Sequence, residues 1–578
     1  MNDNLSIKTL QDKLSVSTKR KKAELVLKNS SYINVFTNEI LKGDIAIQDG
    51  YIVGIGNYEG ELELNFENKI IAPGFLDGHI HIESSMVKPE EFAKAICIHG
   101  TTGIITDPHE IANVSGLDGI DYMLQATKDL PMEVYFMMPS CVPATKLDES
   151  GAELKSKDIE KYFNSERVLG LAEVMNYVGV INGDENTLEK IISTMRNNKI
   201  IDGHAPQIKK EDLDGYVTAG ITSDHECSSF EEALNKLRKG QWIMIREGTA
   251  AKNLASLIDL FKAPYYNRCI LVTDDKHPGD LLKFGHIDYI IKQAITLGAD
   301  PIKAIKMATI NTAQYFGIKN IGAIAPGYLA NFVVLDNLKD FNVENVFYKG
   351  REIAKDGKIL IDIKSIINND INKKIYHSFN LKNLSENDFQ FKEDGNNMRV
   401  IELIKDELLT KEVILKRIKE DEYIENDINL IAVIERHKNT GNIGLGLIKG
   451  YGLKDGAIAT SVSHDSHNII TVGTNKKDMA LASNWIKENQ GGFVITLNGK
   501  IKYGIPLPIA GLMSDKSVYE IHKDITKIKN IAKELGVKEG IDPFMTLGFI
   551  SLPVIPEIRI TTKGIVDSLS QTILKTFF

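Results

Sequence analysis

From residue 73 onward the chain repeats one pattern: a short apolar run, a helical stretch, then another apolar run. Eight such runs follow one another, at 71–81, 102–107, 133–138, 168–174, 199–204, 221–225, 242–246 and 269–273. Helical patterns fill the gaps, for example at 230–238 and 254–261. Parallel strands cannot be joined by a tight hairpin, and a helical crossover is the usual solution. Eight strand–helix units in a row therefore predict an α/β fold, a closed (β/α)8 TIM-like barrel over residues 73–319. Two more helical patterns, at 289–296 and 300–316, follow the eighth run.

The flanks read differently. Residues 23–72 carry short strand-like runs, and Asp49-Gly50 between two of them is a hairpin signal. Strand texture returns at 327–335. Segments 1–72 and 320–375 are accordingly expected to form one discontinuous β-sandwich domain into which the barrel is inserted. The stretch 363–395, rich in Asn, Lys and Asp, reads as a linker. Residues 376–578 predict a separate α+β domain, with helical patches at 477–488 and 517–535 and strand runs at 430–434 and 492–497. A chain of 578 residues exceeds what one hydrophobic core supports. A net charge of -9 with no basic block argues against nucleic acid and anionic membranes as partners, and no apolar run is long enough to span a bilayer. The four cysteines lie far apart without a CxxC, and the N-terminus is polar with no signal-peptide core; both predict a reducing cytoplasm.

In a barrel, side chains at the C-terminal strand ends converge on one face. His79 and His81 close the first run two residues apart, so both imidazoles point to the same side. Glu173 ends the fourth run, His204 the fifth, His225 the sixth and Asp274 the eighth. Each residue alone is more often a cap, a turn residue or a satisfied polar group; six at matching strand ends predict a metal site. Imidazole and carboxylate donors without thiolates suit Mn, Fe, Co, Ni or Zn, and two ions bridged by one carboxylate would be natural. Asp274 beside an acidified water could act as the base.

The order HxH, strand-four carboxylate, strand-five His, strand-six His and strand-eight Asp resembles the amidohydrolase superfamily. Many members carry a modified lysine on strand four, where this chain has Glu173. That departure narrows the resemblance. The segments 79–86, 106–110, 245–248 and 273–280, with 462–469 and 542–547 in the C-terminal part, are similar to the adenine deaminase family of bacterial type. Asn331 stands where many relatives have Asp.

The resemblance implies hydrolysis of adenine to hypoxanthine and ammonia, by hydroxide generated at a metal centre and attacking C6. It implies Mn2+, or Fe2+ or another divalent ion, in a binuclear site, and a homodimer or higher homo-oligomer. Asp274 would move the water proton to the departing amine. Glu83, His109, Glu110 and Glu247 are candidates to protonate the purine ring, with Glu83 and His109 first because their runs adjoin the HxH strand. Glu110, Glu247, His464 and His467 are candidate substrate-binding residues; the segment 464–467 could instead hold a metal, cover the barrel mouth or form a plain polar turn. Cyclic amide hydrolases and the one-metal cytosine and guanine deaminases are alternatives, as is a barrel that has lost catalysis.

Overall fold

A computed structural model describes residues 6–578 apart from residue 393; the first residues of the polar N-terminus, 1–5, lie outside it. Its centre is a (β/α)8 barrel. The strands are β1 (Phe75–Ile80), β2 (Thr101–Thr106), β3 (Glu133–Met138), β4 (Val168–Val174), β5 (Ile200–Gly203), β6 (Ser223–Asp224), β7 (Trp242–Arg246) and β8 (Cys269–Val272). β1 to β5 pair in parallel and in order, as do β6 to β8. Two short seams close the ring. The Thr222 N–H donates to the Ile201 carbonyl at 3.0 Å, and Asp274, just past β8, bridges in parallel to Ile80 of β1. The strands β2 and β3 are buried at every position, as expected of a sheet covered on both faces.

The first apolar run, 71–81, is two strands rather than one. Ile70–Pro73 belongs to the β-sandwich and β1 to the barrel. Gly74 between them makes the switch: a Cβ there would lie 2.2 Å from the Thr102 hydroxyl, so no side chain fits where the chain passes between layers. Ile70–Pro73 pairs antiparallel with Phe332–Leu335, so the entrance to and the exit from the barrel lie side by side in one seven-stranded sheet. A four-stranded sheet packs on it through Leu25, Leu27, Ile45 and Ile47 against Ile71, Phe332 and Phe347.

Two other expectations need correction. The pattern at 254–261 forms turns and a short 3-10 helix, Ile258–Phe261, because Asn253 and Leu254 are tied back to the Arg246 carbonyl and the Glu247 side chain. The pattern at 300–316 is two helices, Pro301–Met307 and Ile310–Tyr315. The break lets the Ala308 carbonyl accept the N–H of Leu76 at 2.7 Å, a tertiary bond that outweighs helix propensity. The polar N-terminus forms a helix, Ile7–Ser17, capped by the Ser6 side chain, and the linker region contains the helix Asn369–Ile375.

The C-terminal part is an eight-stranded, mostly antiparallel sheet with the helix Lys476–Glu488 packed on it, plus a three-stranded sheet and the long helix Val518–Glu534. It meets the barrel at the loop after β1. There the Ser514 N–H donates to the Met86 carbonyl at 2.8 Å, and the Lys88 N–H to the Ser514 carbonyl at 3.0 Å.

Candidate active site and metal centre

Ring closure brings the first donors together. The Asp274 N–H donates to the His79 carbonyl (2.9 Å), and its own carbonyl accepts the His81 N–H (3.2 Å). The Asp274 side chain is thereby set beside both imidazoles, at the cost of a left-handed backbone with φ +60°. Asp77, fully buried, fastens the same seam from below. One carboxylate oxygen accepts the N–H of His79 (3.2 Å) and of Thr273 (3.1 Å), and the other accepts the Thr273 hydroxyl (2.5 Å).

Glu173, at the end of β4, reaches the middle of the cluster, and its two oxygens face different partners. Oε1 lies 3.3 Å from His81 Nε2 and 3.7 Å from His79 Nε2. Oε2 lies 2.7 Å from His204 Nδ1 and 3.3 Å from His225 Nε2. Asp274 Oδ1 completes the first set, 3.2 Å from His81 Nε2 and 3.7 Å from His79 Nε2. All six strand-end residues named from the sequence thus converge.

The proton inventory of this cluster calls for a cation. His81 Nδ1 lies 2.9 Å from the Asp107 carbonyl, an acceptor, so Nδ1 carries a proton; although burial acts against charge, the two carboxylates facing Nε2 lift the imidazole well above its usual range, so positive charge is wanted at that point. His79 Nε2 is buried without any hydrogen-bond partner. His204 Nδ1 and His225 Nε2 face each other at 3.2 Å, where neutral rings can place at most one proton between them. Lone pairs converging on buried carboxylates are what a divalent ion neutralises, so the residues fit the metal.

Arg246 at the end of β7 holds the second layer. Its Nη1 donates to Asp274 Oδ2 and to Glu226 Oε1, both at 2.5 Å, and Nη2 donates to Glu226 Oε2 at 3.0 Å. Burial alone would raise the Asp274 carboxyl; the guanidinium outweighs it and holds the group well below the usual carboxylate range. The Arg246 side chain is only 12% exposed, so its loss leaves two carboxylates uncompensated. Arg246→Met is expected to cost about 3 kcal/mol of stability, measured by denaturant unfolding of the metal-free protein. An unchanged midpoint would mean that solvent already neutralises the pair.

Comparison with known proteins follows the same lines. The amidohydrolase family model matches residues 70–353, and the model described as adenine deaminase C-terminal domain matches residues 407–572. Adenine deaminase of Clostridium acetobutylicum is 48% identical over 563 residues, 96% of this chain and 98% of that protein. The chain belongs to the adenine deaminase family. Adenine deaminase 2 of Carboxydothermus hydrogenoformans is 44% identical over 97% of this chain and 98% of its own. Adenine deaminase of Oceanobacillus iheyensis is 44% identical over 98% and 97%. Membership in the wider amidohydrolase family implies a divalent metal, in agreement with the donor set.

Around the donor cluster of this adenine deaminase family member lie the other residues singled out from the sequence. Glu83 is buried; Oε1 accepts the Ile111 N–H at 3.2 Å, Oε2 has no partner, and burial pushes the carboxyl up to about 7. His109 is fastened through Nδ1 to Asp107 at 2.8 Å, 3.6 Å from Glu173 Oε1. Glu110 meets His464 and His467 of the C-terminal part. Glu247 stands apart: its Oε2 accepts the Leu254 N–H at 3.2 Å and serves the loop after β7. A cavity of about 170 Å³ separates the barrel mouth from the C-terminal sheet, lined by Met86, His277 and Asp280 on one side and by His464, Phe493 and Phe544 on the other. Asp77, Asp107, Glu226 and Arg246 were not singled out from the sequence. Asp107, Glu226 and Arg246 sit at or next to a quoted strand end and Asp77 four residues before one, and only the folded ring shows what each holds.

Proposed function

We propose that this protein deaminates adenine hydrolytically, taking adenine and water to hypoxanthine and ammonia. The observation that carries the reading is Glu173, a strand-four carboxylate whose two oxygens divide four imidazoles into two sets. His79, His81, Asp274 and Glu173 Oε1 would hold one divalent ion, and His204, His225 and Glu173 Oε2 a second, with Mn2+ preferred and Fe2+ able to replace it. When bound, such ions supply Lewis acidity and lower the pKa of water toward neutrality.

The chain's own residues supply the proton path. The Asp274 carboxylate takes the proton released as water adds to C6 and passes it to the departing amine, so that ammonia leaves neutral. Arg246 keeps Oδ2 of Asp274 engaged and leaves Oδ1 turned to the cluster. Glu83, through its unpartnered Oε2, protonates the ring nitrogen next to C6. His109, bound through Nδ1 to Asp107, orients beside it. Glu247, whose carboxylate serves its own loop, is given no chemical step.

The same reading assigns 1–72 with 320–375 to the sandwich, 73–319 to the barrel and 376–578 to the C-terminal domain. It describes a cytoplasmic homodimer or higher homo-oligomer. Four buried free cysteines accord with a reducing compartment, and no described helix is long and apolar enough to cross a membrane. The test is ammonia release by Mn2+-loaded protein, with adenine, adenosine, cytosine and dihydroorotate assayed side by side. Release from adenine alone is the expected result. Silence on adenine with metal bound would overturn the assignment.

A further inference from the structure

The loop between strands Ala457–Thr460 and Ile469–Gly473 carries two imidazoles from the C-terminal domain to one barrel carboxylate. Glu110 lies in the first turn of the helix after β2, 354 residues away from His464 in sequence. His464 Nδ1 meets Glu110 Oε1 at 2.6 Å, and His467 Nε2 meets Glu110 Oε2. A glutamate with two histidines has the composition of a cation site. The tautomers argue against one. The Ser463 N–H donates to His467 Nδ1 at 3.1 Å, so that nitrogen is an acceptor and the ring's proton is on Nε2, facing Glu110. The carboxylate is already served by an N–H, and His467 turns no lone pair toward a metal.

His464 is placed differently. Its ring stacks on Phe549, with centroids 4.6 Å apart and planes 9° apart. Nδ1 is taken by Glu110, whereas Nε2 has no hydrogen bond to any described residue, and the ring lines the cavity at the barrel mouth. An imidazole held by a carboxylate at one nitrogen, without a hydrogen bond at the other, and lining a cavity is built to meet a ligand atom. We propose that His464 is a catalytic residue supplied by the C-terminal domain, donating a hydrogen bond from Nε2 to the acceptor nitrogen in the purine's imidazole ring.

The proposal rests on the adenine reading and deepens it. C6 has to face the donor cluster inside the barrel, and the five-membered ring of the base is fused beside C6; His464 reaches this neighbourhood through Glu110, whose Oε1 lies 3.7 Å from His109 Nε2, with His109 Nδ1 3.6 Å from Glu173. The five-membered ring has one N–H and one acceptor nitrogen in either neutral tautomer of the free base. Addition at C6 pushes electron density into the ring system, and a donor fixed at the acceptor nitrogen stabilises it more in the transition state than in the ground state. Burial acts against a charged His464, but the adjoining Glu110 carboxylate lifts the imidazole to about 9, so the outer nitrogen carries its proton at neutral pH. His467 holds Glu110, Glu110 holds His464, and His464 touches the base; the first two are positioning residues.

The test compares full-length wild type, His464→Ala, His464→Gln and Glu110→Gln. It reads kcat and KM for adenine, bound metal, and equilibrium binding of hypoxanthine to the metal-depleted protein. His464→Ala is expected to lose about 100-fold in kcat/KM, to keep wild-type metal content, to bind hypoxanthine more weakly and to recover in part with added imidazole. His464→Gln, which keeps a donor but no charge, should fall between, and it replaces the alanine variant if that one unfolds. Wild-type kcat/KM and hypoxanthine affinity in both His464 variants would overturn the proposal, as would a loss that imidazole does not relieve and that tracks lost metal. A parent protein inert toward adenine would overturn the deaminase reading itself, and that failure is seen before any variant is compared.

Discussion

Asp274→Asn is expected to bind metal and to lose nearly all turnover, about 10³-fold in kcat, the range that a positioned general base contributes. Asparagine has the shape of aspartate, and the backbone of residue 274 is fixed by its bridge to His79 and His81 rather than by its side chain. The amide therefore occupies the same place. Arg246 fixes its orientation, because the guanidinium can donate only to the oxygen and repels the NH2. The NH2 then points at His79 and His81, where the carboxylate oxygen stood, and no longer accepts a proton. On the proposed assignment His79, His81 and Glu173 would still supply donors to one ion, and His204, His225 and Glu173 to the other. Elemental analysis and steady-state kinetics on the same preparation check both halves. Substantial activity would remove Asp274 from proton transfer, and loss of an ion would make it a ligand first.

What the sequence made legible follows the range of the forces involved. β3, β4 and β7 have the bounds expected from their apolar runs, because each is a compact stretch whose burial is decided locally. The convergence of the six strand-end residues was legible for a related reason: once the barrel is counted out, position at a strand end fixes the direction of a side chain. Tertiary bonds spoiled the rest. The helix expected over 300–316 gives way at Ala308 because a barrel strand needs that carbonyl, and nothing near residue 308 announces it. Asp77 looks like an ordinary turn residue until ring closure brings Thr273, 196 residues away, onto its carboxylate. Arg246 and Glu226 are separated by 20 residues and pair only because β6 and β7 are neighbours. The pairing of Glu110 with His464 is the extreme case, since no periodicity within either segment points to the other.

Glu173→Gln is expected to strip the centre of metal while leaving the fold in place. Among the described residues, Glu173 is the one whose two oxygens face both sets of imidazoles. An amide has one oxygen, so whichever way it turns, an NH2 replaces the donor facing either His81 or His204. The charge is lost as well, and a neutral amide neutralises neither cation. Affinity for at least one ion should fall by about 100-fold or more, since even supporting partners of metal ligands are worth 10- to 100-fold. The strand itself has other anchors: β4 pairs with β3 and β5, and the Ser140 hydroxyl donates to the Glu173 carbonyl at 2.5 Å. Metal per chain after dialysis against a buffered chelator is the decisive reading, with circular dichroism as the check on folding. Glu173→Asp serves as the control, because it restores the charge one methylene short and should hold metal better than the glutamine variant. Full occupancy in Glu173→Gln would sink the bridging role and with it the argument that strand four, through a carboxylate, organises this site.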